Sequence, residues 1–159
     1  YFTYISGAPE PVRIVLGDAR LTLGTEPQSA FDLLVLDAYS SDAIPMHLAT
    51  REALALYVSR LSPGGVMVFH LSNQHLNLVP ILAATADSLG LVSYERHDQS
   101  VSDQESYEGK EPSRWMVMAQ DQETLKPLLA ANRWWPAPFD SKTPIWTDES
   151  NSILDALEW

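Results

Sequence analysis

A chain of 159 residues suffices for one domain with its own hydrophobic core, and a single domain over 1–159 is expected. The absence of cysteine excludes disulfides and thiolate zinc sites and fits an intracellular, cytoplasmic protein. With 21 acidic against 10 basic residues the net charge is −11, a field that repels phosphate backbones and argues against nucleic acid as a partner.

The chain opens on Tyr1 rather than methionine, with no signal peptide, and reads as a piece of a longer protein. Val12–Leu16, a short β-branched run ending at Gly17, is expected to be a buried strand. A helix is expected from Ala19, then a turn over Gly24–Ser29. Phe31–Asp37 is the second expected strand, and its near-continuous apolar character predicts burial on both faces in a parallel sheet. Leu54, Tyr57, Val58 and Leu61 fall at helical spacing, with Ser62-Pro63-Gly64-Gly65 as the stop. Val66–Leu71 reads as a third strand. Leu78, Val79, Leu82, Ala86 and Leu89 mark an amphipathic helix ended by Gly90. Leu91–Arg96 and Trp115–Ala119 read as strands, and 97–113 as a loop. Asp121 is suited to cap a helix running to about Ala131, and the Trp- and Pro-rich tail to be irregular until a turn near Ile153–Leu157. The runs Phe31–Leu36 and Val66–Leu71 are far too short to cross a bilayer, so no membrane contact by this segment is expected.

Alternating strands and helices predict an α/β fold with a parallel sheet wrapped on both faces. Ligands of such sheets lie outside the carboxyl ends of the strands, which singles out Gly17-Asp18, Asp37 to Asp42, and His70 to Gln74. At Gly17-Asp18-Ala19 the glycine allows close backbone approach. The Asp18 carboxylate is suited either to accept a hydrogen bond from an amino group or simply to cap its helix. Asp37 ends an apolar strand, where a carboxylate costs desolvation unless it has a partner or a task. Asp42, in the same loop, is a second acid for a cationic amine or an ordinary turn residue. His70 is a base, a ligand or a hydrogen-bonded structural residue. No His, Asp or Glu cluster has metal-ligand spacing, so no metal is expected.

These residues together resemble the spermidine synthase (polyamine aminopropyltransferase) family. The resemblance is carried by Phe31–Asp37, the serine-rich loop to Pro45, Leu48, Thr50 and Pro63-Gly64-Gly65-Val66. Val15–Arg20, His70-Leu71-Ser72-Asn73 and Trp146-Thr147-Asp148 are similar to its bacterial branch often fused to a membrane transporter-like region. The resemblance implies a Rossmann-like, S-adenosylmethionine-dependent methyltransferase fold with strand order 3-2-1-4-5-7-6. Its first two strands and glycine-rich loop would precede this chain, so the chain alone is not expected to hold the cofactor. It implies transfer of an aminopropyl group from decarboxylated S-adenosylmethionine (or chemistry on S-adenosylmethionine itself) to an amine such as putrescine. Asp37 would be the proton acceptor, Gly17, Asp18 and Ala19 the cofactor contacts with Asp18 on the adenine amino group, and Asp42 and Gln74 the amine contacts. Asp37 and Asp42 are five apart where the family often has Asp-x-x-Asp, and Glu111–Arg114 stands where it often has Tyr-Pro-Ser-Gly. A methyltransferase-like enzyme with another acceptor, or a non-catalytic sensing or scaffolding domain, are the alternatives. By the implied order Val12–Leu16 would lack its neighbours. It is therefore expected either to shift beside Phe31–Asp37 or to leave an edge covered by a second chain, a homodimer.

Overall fold

The computed structural model describes residues 3, 5–38, 45–72 and 76–157. In chain order the elements are α1 (Ala19–Gly24), β1 (Phe31–Leu36), α2 (Arg51–Arg60), β2 (Leu61–His70), α3 (Val79–Asp87), β3 (Val92–Asp98), α4 (Asp103–Tyr107), β4 (Ser113–Ala119), α5 (Gln122–Leu129) and β5 (Trp135–Pro136), with 3-10 turns at Met46–Leu48 and Ile153–Ala156. The five strands form one sheet in the order β1-β2-β4-β3-β5. The protein is therefore a mixed α/β structure, and its run β1-β2-β4-β3 reproduces the 4-5-7-6 portion of a methyltransferase-like sheet.

Among the described residues only β1 and β2 are parallel; β4 runs antiparallel to both β2 and β3, and β5 antiparallel to β3. The all-parallel expectation is thus corrected. The chain between β3 and β4 makes a hairpin-like return rather than a helical crossover back across the sheet. The segment expected as a plain loop also holds α4, which is closed by a capping box in which Ser102 and Glu105 satisfy each other's backbone amides.

Two layers cover the sheet. On one face α2 and α3 pack Ala53, Leu54, Tyr57, Val79 and Leu82 against Met67, Phe69, Met116 and Met118, all buried. On the other face α5 seats Leu125 on Val117 and Ala119. The Pro63-Gly64-Gly65 stretch does not stand outside the elements as a stop; α2 ends at Arg60 and β2 begins at once. These residues instead form an irregularity in the β1–β2 ladder between Phe31 and Leu33. A Cβ on Gly65 would lie 2.9 Å from the Ser62 carbonyl oxygen and 3.1 Å from that of Phe31, so only glycine fits this turn.

The predicted strand Val12–Leu16 is not formed. It has no ladder partner among the described residues, and Leu16 is 90% exposed. Backbone of a strand gains its hydrogen bonds only from a neighbour, and this run does not move beside β1 to find one. Nor is β1 buried on both faces. Leu34 and Leu36 pack on the α2 side, whereas Leu33 and Val35 are each 55% exposed. Its apolar character belongs to an edge strand covered on one face.

Candidate functional site

The parallel register pairs Leu36 with Phe69, so the residues that follow, Asp37 and His70, emerge side by side at the carboxyl ends of β1 and β2. The Asp37 Oδ1 lies 2.7 Å from the His70 Nδ1. The opposite ring nitrogen, Nε2, lies 2.6 Å from the Ser72 Oγ. Ser72 Oγ in turn accepts the Arg114 backbone N–H at 2.9 Å, and the Leu71 N–H donates to the Arg114 carbonyl at 2.7 Å, extending the β2–β4 ladder past His70. The His70 ring stacks on its cross-strand partner Trp115, with centroids 4.4 Å apart and planes at 18°. The histidine is therefore held in its plane and at both nitrogens. Asp37 itself is 54% exposed, so its carboxylate faces solvent at the sheet's edge.

Asp37 also lines a cavity of about 430 Å³, within the range of small-molecule sites. Its walls include Val15, Gly17, Ala19, Leu34, Leu36 and Asp37. Thus two of the three residues expected at the cofactor, Gly17 and Ala19, share one hollow with the expected proton acceptor. Gly17 has φ +142°, a conformation suited to glycine, and turns the chain into α1.

Asp18 is placed differently. It is the N-cap of α1: its Oδ1 accepts the Leu21 backbone N–H at 2.9 Å, and its Oδ2 lies 3.1 Å from the His47 Nε2. The Leu21 amide bond, with the nearby His47, holds its carboxyl below the ordinary aspartate range. The capping reading of Asp18 is realised, and its carboxylate already has two partners. Asp42 and Gln74 lie outside the described residues.

Behind this edge the C-terminal tail ties the elements together. Asp148 receives a bidentate pair of bonds from Arg20, both 2.7 Å, and the Thr50 hydroxyl at 2.7 Å. These contacts, the Arg20 bond foremost, lower the Asp148 carboxyl to about 2. Arg20 also donates to the His47 carbonyl, so the loop that holds His47 against Asp18 is fixed from the tail. Arg114, the last residue of the Glu111–Arg114 stretch, has its guanidinium committed to Glu95 and Asn77.

Ser72 lies within the His70-Leu71-Ser72-Asn73 stretch singled out above, but with no role of its own. Its spacing of two from His70, which in extended chain puts both side chains on one face, is the signal that pairs them. A second, larger hollow of about 560 Å³ lies on the α5 face among Leu33, Val68, Trp115 and Leu128. Its carboxylate, Asp98, is held by Arg96 and Lys110, so its lining offers less for proton chemistry. Among the described residues no group of three or more His, Asp or Glu is arranged to hold a metal, and no helix is long and apolar enough to cross a membrane.

No family model matches the chain, and no curated protein matches it. Among solved structures it is similar to a "probable spermidine synthase" from Corynebacterium glutamicum ATCC 13032, at 15% identity and a TM-score of 0.49, over 79% of this chain and 48% of that one. It is similar to MnmC2 from Aquifex aeolicus at 17% identity and a TM-score of 0.49, over 75% of this chain and 36% of that one. The chain thus spans about half, or less, of the length of these structures, and similarity at this level bears on neither activity nor substrate.

Proposed function

We propose that the chain is the later part of the catalytic domain of an S-adenosylmethionine-type transferase. In the intact protein it would move an aminopropyl group from decarboxylated S-adenosylmethionine to an amine such as putrescine. The observation that carries this reading is Asp37: a carboxylate at a strand's carboxyl end, oriented by His70, exposed to solvent and lining a cavity of about 430 Å³. The apolar wall of Val15, Leu34 and Leu36 and the glycine backbone at Gly17 suit a flat heterocycle such as adenine. When bound, such a cofactor supplies a propyl carbon made electrophilic by the adjacent sulfonium, and its thioether leaves neutral, so no general acid is needed.

The demand on the protein is at the other reactant. An alkylammonium resembles a lysine side chain, with a pKa of about 10, and must lose a proton before its nitrogen can attack. Asp37 attracts the cation and accepts that proton at its carboxylate. Asp42 and Gln74 are proposed to hold the amine beside it, and Gly17, Asp18 and Ala19 to border the cofactor. Because the Asp18 carboxylate serves α1 and His47, its contribution is proposed to be the shape of the turn as much as its charge. A cytoplasmic location and a homodimer are proposed together with this reading.

A second reading, methyl transfer to another acceptor, is favoured by Glu111, an exposed carboxylate standing where the Tyr-Pro-Ser-Gly pattern has its tyrosine, so that the aromatic contact to an amine is missing. One assay separates the two. The intact protein is incubated with decarboxylated or ordinary S-adenosylmethionine and a panel of amines, and products are weighed by mass spectrometry. An aminopropylated amine is the expected product. A methylated product supports the second reading, and no turnover with either cofactor points to a sensing or scaffolding domain.

A further inference from the structure

We infer that His70 is a positioning residue for Asp37, held as the Nδ1–H tautomer by a directed chain that runs from the Arg114 backbone through Ser72 and the imidazole to the carboxylate. The inference rests on the proposed role of Asp37 for its functional meaning and on the geometry alone for its structural content.

The direction of the chain follows from what each group is able to donate. At neutral pH the Asp37 carboxylate is an acceptor only, so the 2.7 Å contact requires a proton on His70 Nδ1. In a neutral ring Nε2 is then the acceptor, and its partner at 2.6 Å must be the Ser72 hydroxyl proton. Ser72 is free to point its hydrogen that way because its oxygen takes the Arg114 backbone N–H, a donor whose direction β4 fixes. Every link is thereby oriented the same way. Trp115, stacked on the ring, removes the remaining freedom about the imidazole plane.

For Asp37 the consequence is that one oxygen is committed and its plane is set. The other oxygen is the one presented to a cationic amine in the cleft. An exposed aspartate would otherwise sample several rotamers, and misplacement of a reacting group by about 1 Å can cost 100-fold in rate. No covalent step passes through His70 or Ser72.

The test is the nitrogen-15 spectrum of the imidazoles, which reports the tautomer directly and needs no turnover. The chain has four histidines, and His70→Gln assigns the signal. At a pH where the ring is neutral, His70 should show a protonated Nδ1 and an unprotonated Nε2. Asp37→Asn should disturb that state, and backbone amide spectra of both variants should otherwise match the wild type. A ring protonated at Nε2, or one that ignores Asp37→Asn, overturns the inference whatever the enzyme does. Where the intact protein turns over, His70→Ala should lower kcat by about 100-fold with KM within twofold, and His70→Gln, which keeps a donor, should recover part of it. Wild-type kcat in His70→Ala would equally overturn the positioning role. Absence of all transfer, with the tautomer as described, would fault the proposed activity and leave the chain of bonds standing.

Discussion

Gly17 shows how one residue sets the geometry of the cavity. Its φ of +142° is strained for any side chain, and an added Cβ would meet the Thr22 Cγ2 at 3.1 Å. Gly17→Ala should therefore destabilise the fold by about 1–3 kcal/mol, read from urea unfolding, because a side chain at this φ strains the backbone. The role of glycine at this turn was legible from its place before Asp18 and Ala19. Asp37 stood out in the sequence for a similar reason, since a carboxylate closing an apolar strand costs desolvation unless it has a partner. Its partner was not legible there. That His70 meets Asp37 depends on the Leu36–Phe69 register, and a register is set by pairing across the sheet, not by either strand's own residues.

At the scale of elements, α2 depends on its N-cap. Thr50 is fully buried, caps the helix by accepting the Ala53 backbone N–H, and donates its hydroxyl to Asp148. Thr50→Ala loses both bonds and should cost about 1–2 kcal/mol, while Thr50→Ser should retain most of the stability. A thermal or urea unfolding series of the two variants checks this. Helices α2, α3 and α5 were readable because apolar spacing and caps are local signals. The sense of β4 was not, because direction is decided by how the chain returns, and α4 hid in a polar stretch whose helix rests on a capping box instead of a buried face. Val12–Leu16 shows the opposite failure: β-branched content marks a strand only where a neighbour exists to pair with.

Across the whole molecule the C-terminal tail joins elements that are distant in sequence. Asp148 joins Arg20 of α1 to Thr50 of α2, and the buried Trp146 indole donates to Asp155, so the tail anchors the site's supporting elements. The Asp148 carboxyl, lowered from 3.8 to about 2, contributes stability that is fully present above about pH 4 and is lost as pH falls through 2. Asp148 is 43% exposed, so the contribution is modest, about 1 kcal/mol. Asp148→Asn should lower the urea midpoint at pH 6 and flatten its decline between pH 4 and 2; an unchanged acid limb would show that the pair contributes nothing.

On the proposed reading Asp37 is the group that takes the proton. Its most direct test is turnover of the intact protein carrying Asp37→Asn, which keeps the shape of the side chain and removes the acceptor, with decarboxylated S-adenosylmethionine and putrescine as substrates. At least a 100-fold loss of kcat is expected, in the span typical of general base removal, with unfolding midpoints unchanged. A variant that transfers at the wild-type rate would contradict it.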